Sequence, residues 1–130
     1  MGYLEMVKED VKSWMVENEE NLQEQSFEDI QSLADWLNDA LWCEDSVTGN
    51  ASGSYYFNNY ESKEAVLADM ETVTEALQEF CDKETIADKF LNEEWEYFDV
   101  TARCYILGTA IWEVLEENKE EFKTLLTQEV

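Results

Sequence analysis

The chain has 130 residues, 32 acidic and 8 basic, and its formal net charge is −24. This length points to one domain spanning residues 1–130, and 45% hydrophobic residues with five Trp exclude a disordered acidic tail. DNA, RNA and anionic membranes are bound through clusters of Lys and Arg, which the sequence lacks. We therefore expect no direct contact with nucleic acid or membrane and a basic protein as the partner, with the oligomeric state left open.

Most catalytic and metal sites need residues that this sequence does not contain. It has no His, which removes the commonest general base, the usual activation of Ser or Cys, and most zinc sites. Cys43, Cys81 and Cys104 show no CxxC spacing and are predicted to be buried thiols. We therefore predict a binding protein and not an enzyme, with no catalytic residue, cofactor or metal.

Targeting signals are missing from the sequence as well. The N-terminus lacks the basic and apolar regions of a signal peptide, and no apolar stretch reaches the ~18 residues that cross a bilayer. Both observations predict a cytoplasmic protein.

Apolar residues at helical spacing predict a mainly α protein, a single-domain bundle of four to five helices. The first helix is expected over about residues 3–18, with a polar link over residues 18–25. A second helix is expected over about residues 27–43. Ser26 and Asp29 before it resemble a capping box, although Asp is a poorer partner than Glu at that place.

A third helix is predicted over about residues 62–81. On both the second and the third helix, acidic residues recur on the side opposite the apolar face, where they form ridges in solvent. These ridges are the predicted surface for a basic partner. Their residues are Glu28, Asp35 and Asp39 on the second helix, and Glu64, Glu71, Glu75 and Glu79 on the third.

Residues 46–60 carry no charge, although acidic residues crowd the sequence on both sides. Extended segments, the first at residues 47–48, are predicted around a Gly-rich turn, as an ordered loop or a short β-hairpin. Trp42 falls on the polar side of its helix, so we expect the loop to fold back over it. The loop either completes the fold or binds a partner, in which case Asn50 and Tyr55 are the candidate contacts.

A shorter helix is predicted over about residues 84–93, and a last helix over residues 100–115 with Asp99 as its N-cap. Because apolar residues lie on most sides of the last helix, it is predicted to be the central helix of the bundle. Its predicted buried face comprises Val100, Cys104, Leu107, Ile111, Val114 and Leu115, with Tyr105, Ile106 and Trp112 off that face.

Two charged residues fall on apolar faces. Asp69 does so on the third helix, and Arg103, the single Arg of the chain, does so on the last. A buried charge needs a partner, and the Arg fork suits a carboxylate. We predict a structural ion pair that joins Arg103 either to Asp69 or to the acidic residues Glu44 and Asp45.

Two stretches of the sequence resemble known proteins. One is residues 42–54, Trp-Cys-Glu-Asp-Ser-Val-Thr-Gly-Asn-Ala-Ser-Gly-Ser, and the other is residues 99–108, Asp-Val-Thr-Ala-Arg-Cys-Tyr-Ile-Leu-Gly. The middle of the chain resembles a family of short acidic hypothetical proteins encoded by phages and integrated elements of Gram-positive bacteria. The resemblance implies origin and a bacterial host cell, and no mechanism. At the level of class, size and charge are similar to inhibitors that mimic DNA.

The charge density is comparable to that of a duplex. Since B-DNA has one charge per ~1.7 Å of axis, 24 charges correspond to about 12 base pairs, or roughly 40 Å, similar to the expected width of the domain. We therefore predict an anti-CRISPR or anti-restriction inhibitor that mimics nucleic acid and blocks the basic DNA or RNA channel of a host defence nuclease. The alternative is a phage accessory or structural protein that binds an unrelated partner through residues 46–60.

Overall fold

The computed structural model describes residues 2–126. Within them the chain forms nine α-helices and one short 3-10 helix, Lys123–Leu125, and no β-strand. The prediction of one domain over residues 1–130 extends past both ends of the described residues and stays a prediction. The helices are α1 (Tyr3–Glu17), α2 (Glu19–Gln25), α3 (Ile30–Trp42), α4 (Asp45–Thr48), α5 (Tyr60–Ala68), α6 (Met70–Leu77), α7 (Lys83–Leu91), α8 (Phe98–Glu117) and α9 (Lys119–Phe122).

Helix α8 lies at the centre of the bundle. Helices α1 and α3 pack along it, and α6 also packs on it. Its buried residues surround most of its circumference, so the predicted helical bundle around a central C-terminal helix is confirmed. They are Phe98, Ala102, Arg103, Ile106, Leu107, Ala110, Ile111, Val114 and Leu115.

The second predicted helix begins three residues later than expected. The Asp29 carboxylate caps α3 by accepting the N–H of Ser32 at 2.9 Å. Ser26 has a positive φ of 56° at the end of α2, so the predicted capping box is wrong. Residues 19–25, predicted as a link, form α2 because Leu22 is buried in the core.

The third predicted helix is broken at Asp69. This residue has φ −138° and ψ 44°, which is not helical, and its side chain lies against Gly2. The break separates α5 from α6. The acidic ridge predicted for one continuous helix is therefore divided between two helices.

The exposed face of α8 differs from the predicted one. Val100 is 53% exposed, Cys104 is also exposed, and Ile106 is fully buried. Neither Cys43 nor Cys81 is buried either, since the first is exposed and the second half-buried. The predictions of buried thiols and of a buried Val100 are wrong. On α8, the buried face includes Ala102, Ile106 and Ala110 and leaves out Val100 and Cys104.

Asp10 is the carboxyl group of α1 whose burial has a testable effect on stability. Lost hydration, with the charge of Glu9 as a smaller cause, raises the pKa of Asp10 from 3.8 to about 6. A carboxyl whose pKa is higher in the folded state opposes folding when it is ionised. Ionised Asp10 therefore destabilises the protein above pH ~6 and has no such effect below pH ~4.

We expect Asp10→Asn to raise the free energy of unfolding above pH 6, by less than ~1 kcal/mol because the half-exposed carboxyl is screened by water. The gain should disappear as the pH falls below ~4. Urea unfolding across this pH range measures it. Glu20→Gln removes one charge from an exposed position of α2 and is the control. Equal pH profiles for the two variants would assign the effect to net charge alone.

Candidate binding surfaces

The uncharged segment at residues 46–60 is an ordered loop. Its first residues complete α4, and Gly49 then takes the left-handed conformation with φ 62°. The Asp45 carboxylate accepts the N–H groups of Ala51 at 2.9 Å and Ser52 at 3.0 Å. Of the two predicted forms, the structure has the loop and not the hairpin, because residues 47–48 are helical and not extended.

The loop folds back on the C-terminal end of α3, as predicted. The carbonyl of Trp42 accepts the side-chain amide of Asn50 at 2.6 Å and the hydroxyl of Thr48 at 3.0 Å. The Tyr56 hydroxyl donates to the carbonyl of Asn50 at 3.1 Å. The bonds from Asn50 and Thr48 satisfy the Trp42 carbonyl, which the end of the helix leaves without a partner in the backbone.

Arg103 is buried beneath this loop. Its Nε lies 3.1 Å from Asp99 Oδ1, and its Nη1 donates to Asn50 Oδ1 at 2.8 Å. The guanidinium carbon lies 4.2 Å from the centre of the Tyr56 ring and 5.2 Å from that of Trp42, within cation–π range. The Arg103 side chain is 4% exposed and that of Asp99 is 13% exposed.

Arg103 thus forms a buried ion pair, as predicted, but its partner is Asp99. Asp69 lies beside Gly2, so the Arg103–Asp69 pair is wrong. Asp45 binds loop amides, and within residues 2–126 neither it nor Glu44 forms an ion pair with Arg103. The missed signal is the four-residue spacing of Asp99 and Arg103 on one helix, which places their side chains on the same face.

Aromatic contacts attach the second half of the loop to the bundle. The fully buried Phe57 donates its N–H to Asp99 Oδ1 at 3.1 Å. The Tyr3 hydroxyl donates to the carbonyl of Tyr55 at 2.9 Å. Burial raises the pKa of Tyr3, so the phenol keeps the proton that it donates. The Phe57 ring also contacts the rings of Tyr3, Phe90, Trp95 and Phe98.

The conformation of Gly49 supplies a test of this loop. A Cβ at Gly49 would lie 2.7 Å from the backbone nitrogen of Tyr55, at a φ that L residues rarely adopt. We expect Gly49→Ala to lower the free energy of unfolding by ~1–3 kcal/mol. Gly53 has a similar φ of 74°, but the nearest atom to its added Cβ is 3.9 Å away. Gly53→Ala should therefore lose less, and equal losses in urea unfolding would contradict the contact.

The predicted acidic residues are all exposed, but they form three groups. Glu28, Asp35 and Asp39 lie before and on α3, and we call them the α3 row. Glu71, Glu75 and Glu79 lie on α6 and in the turn after it, and we call them the α6 row. Glu64 lies apart on α5, where its carboxylate accepts the Tyr60 hydroxyl at 3.0 Å.

The ion pairs formed by the described residues lie outside both rows. Lys8 Nζ is 2.7 Å from Glu117, and Lys89 Nζ is 3.0 Å from Glu94. Among the described residues, no ion pair involves a carboxylate of the α3 row or the α6 row. Asp35 accepts the neutral amide of Gln31 at 2.9 Å. Within residues 2–126, therefore, no Lys or Arg side chain pairs with the negative charge of the two rows.

Asn50 and Tyr55, predicted as partner contacts on the loop, are half-buried. The Asn50 side chain donates to the carbonyl of Trp42 and accepts from Arg103. The carbonyl of Tyr55 accepts the hydroxyl of Tyr3. The structure brings these two residues to the Arg103 site and leaves the acidic rows on other helices. Their role in binding stays a prediction.

Comparison with known proteins places the chain in no family: no family model, curated protein or solved structure matches it. Within residues 2–126, no helix has both the length and the apolar character needed to cross a membrane. In the same range, no group of His, Cys, Asp and Glu side chains is arranged to hold a metal ion.

Proposed function

We propose that this protein is a phage-type inhibitor that mimics nucleic acid and occupies the basic DNA or RNA channel of a host defence nuclease. The target would be a CRISPR or a restriction nuclease in the cytoplasm of a bacterial host. The protein would act by binding and not by catalysis. The observation that carries the proposal is the pair of exposed acidic rows that no cation of the described chain neutralises.

The spacing of the carboxylates supports the use of both rows together. Residues four apart on a helix are separated by about 6 Å along its axis, whereas one DNA strand has a phosphate every ~3.4 Å of axis. A single row such as Glu71 and Glu75 therefore has about half the charge density of one strand. The proposal therefore requires both rows, with the net charge of −24 behind them, to approach the charge density of a duplex.

The loop at residues 46–60 offers less to a partner than the rows do. Its polar side chains Asn50 and Thr48 bind the end of α3, and Phe57 is fully buried. These contacts favour a loop that completes the fold. They support the inhibitor over an accessory protein that binds through this loop.

The test is a displacement assay with CRISPR and restriction nucleases from a Gram-positive host. Fluorescence anisotropy of a labelled duplex on each nuclease is measured as the protein is added, at about 50 to 200 mM salt. We expect the protein to release the duplex at low salt and to lose this ability steeply as salt rises, because many weak charges act together. Failure to displace DNA from any basic nuclease at low salt would reject the proposal.

A further inference from the structure

One side of the central helix α8 is left uncovered between α3 and α6. A groove of about 720 Å³ runs along it, and we call this the α8 groove. Tyr105, Gly108 and Trp112 belong to its lining and lie at three- and four-residue spacing, on one face of the helix. Tyr105 is 40% exposed, although aromatic residues of a central helix are usually covered by neighbouring helices.

The floor of the α8 groove can be approached closely and is held in place before binding. Gly108 has no side chain, so the backbone of α8 can be approached closely there. A Cβ at this position would lie 3.4 Å from Asn38 Oδ1 of α3, which is ordinary contact and leaves the groove open above it. The Tyr105 ring stacks on Phe80 at 5.3 Å between ring centres, so its position is fixed before a partner arrives.

The rim of the α8 groove is acidic. Glu75 and Glu79 of the α6 row line it on one side, without an ion pair in the described part of the chain. Glu113 lines it too, 3.9 Å from Lys8 Nζ. The lining also includes the polar side chains of Asn38, Thr72 and Thr109. The aromatic rings of Tyr105 and Trp112, with carboxylates beside them, match an occupant that has apolar side chains in the middle and cations at the side.

We infer that the α8 groove docks an amphipathic, cationic α-helix of a protein partner. Apolar side chains of that helix would pack on Tyr105 and Trp112, and its Lys or Arg side chains would lie against Glu75 and Glu79. A second copy of this chain fits poorly, because each copy carries a net charge of −24. The inference rests on the proposed function in one respect, that the partner is basic, and adds where its helix binds.

A synthetic amphipathic helix with Leu along one face and Arg along both flanks is the probe. NMR titration of the full chain follows the indole N–H resonances of its five Trp residues, assigned by single Trp→Phe variants. We expect the Trp112 resonance to shift most, and an oligoarginine peptide without Leu to leave it unchanged. Shifts confined to the other four indoles, or equal Trp112 shifts with both peptides, would overturn the inference. The other four are Trp14, Trp36, Trp42 and Trp95.

Gly108→Leu fills the α8 groove, and Leu has a higher helix propensity than Gly, so the fold should be kept. We expect it to weaken peptide binding at least about tenfold, as the loss of a central contact does. Gln23→Leu adds the same side chain to an exposed position of α2 and should change affinity little. Tyr105→Ala removes part of the groove floor and should also weaken peptide binding. It replaces Gly108→Leu in the test if that variant does not fold. Undiminished binding by every folded groove variant would overturn the inference.

The outcome separates this inference from the proposed function. If the protein displaces DNA from a nuclease but binds the Leu–Arg helix without a Trp112 shift, the proposed function stands and docking in the α8 groove is rejected. If the protein binds this helix in the α8 groove but never displaces DNA, the docking inference stands and mimicry of nucleic acid is rejected.

Discussion

Arg103→Ala is expected to lower the free energy of unfolding by ~3–5 kcal/mol, the usual effect of removing one member of a buried ion pair. The change leaves the Asp99 carboxylate, 13% exposed, without its cation. It also removes the donor to Asn50 and the cation between the rings of Tyr56 and Trp42. Thermal and urea unfolding measure the loss.

Three further variants define the cause. Arg103→Leu should also destabilise, because Leu fills the volume but leaves Asp99 unpaired. Arg103→Lys keeps the charge but lacks the fork that bonds both Asp99 and Asn50, so it should recover only part of the loss. Lys12→Ala breaks an exposed pair of 3.9 Å with Glu121 and should change stability by at most ~1 kcal/mol. If both Arg103→Ala and Arg103→Leu melt with the parent, the ion pair has no structural role.

Loop order supplies a second readout of the same site. Asn50 links Arg103 to the end of α3, so losing Arg103 should loosen residues 46–60 before the whole bundle unfolds. Hydrogen exchange of the Ala51 and Ser52 amides, both bonded to Asp45, reports on this. Unchanged exchange at these amides in Arg103→Ala would show that the turn is ordered without Arg103.

Helix periodicity predicted the parts of the fold that depend on local spacing. Helix α1 begins at Tyr3 as predicted, and α8 is central because apolar residues surround most of it. The burial of Arg103 followed from its place on an apolar face. The loop folds back on Trp42 as predicted, where it bonds the Trp42 carbonyl, and the Trp42 side chain is partly buried.

Features set by contacts between distant residues were not predictable from spacing. The helix breaks at Asp69, whose side chain contacts Gly2 just before α1. A contact between residues so far apart in sequence leaves no sign in helix periodicity. Asp99 was interpreted as a cap because it precedes an apolar run. In the structure its carboxylate instead accepts hydrogen bonds from the Phe57 N–H and from Arg103 Nε. The bond to Phe57 depends on where the loop packs.

The candidate binding surfaces also have one part that the sequence could predict and one that it could not. That the acidic residues are exposed could be predicted, because their spacing places them opposite the apolar faces. The α8 groove could not, because it exists only where α3 and α6 stop short of covering Tyr105. The predicted orientation of α8 placed Val100 in the core, whereas Val100 is 53% exposed.

Neutralising one acidic row is expected to weaken nuclease inhibition strongly while the protein stays folded. One variant carries Gln at Glu71, Glu75 and Glu79, and the other carries Gln at Glu28 with Asn at Asp35 and Asp39. If each lost contact is worth up to ~1 kcal/mol and the three add, inhibition weakens by up to about a hundredfold. Single substitutions should do little, and removing like charges should not destabilise the fold.

The matched control carries Gln at Glu17, Glu20 and Glu24, which are exposed on α1 and α2 and change the net charge by the same amount. The displacement assay at low salt compares all three variants with the parent. Greater losses for the two row variants than for the control would place recognition on the rows, whereas equal losses would indicate long-range charge alone. The α6 variant should lose more than the α3 variant, because Glu75 and Glu79 also line the α8 groove. If both row variants inhibit as well as the parent, mimicry of nucleic acid should be abandoned for an accessory role.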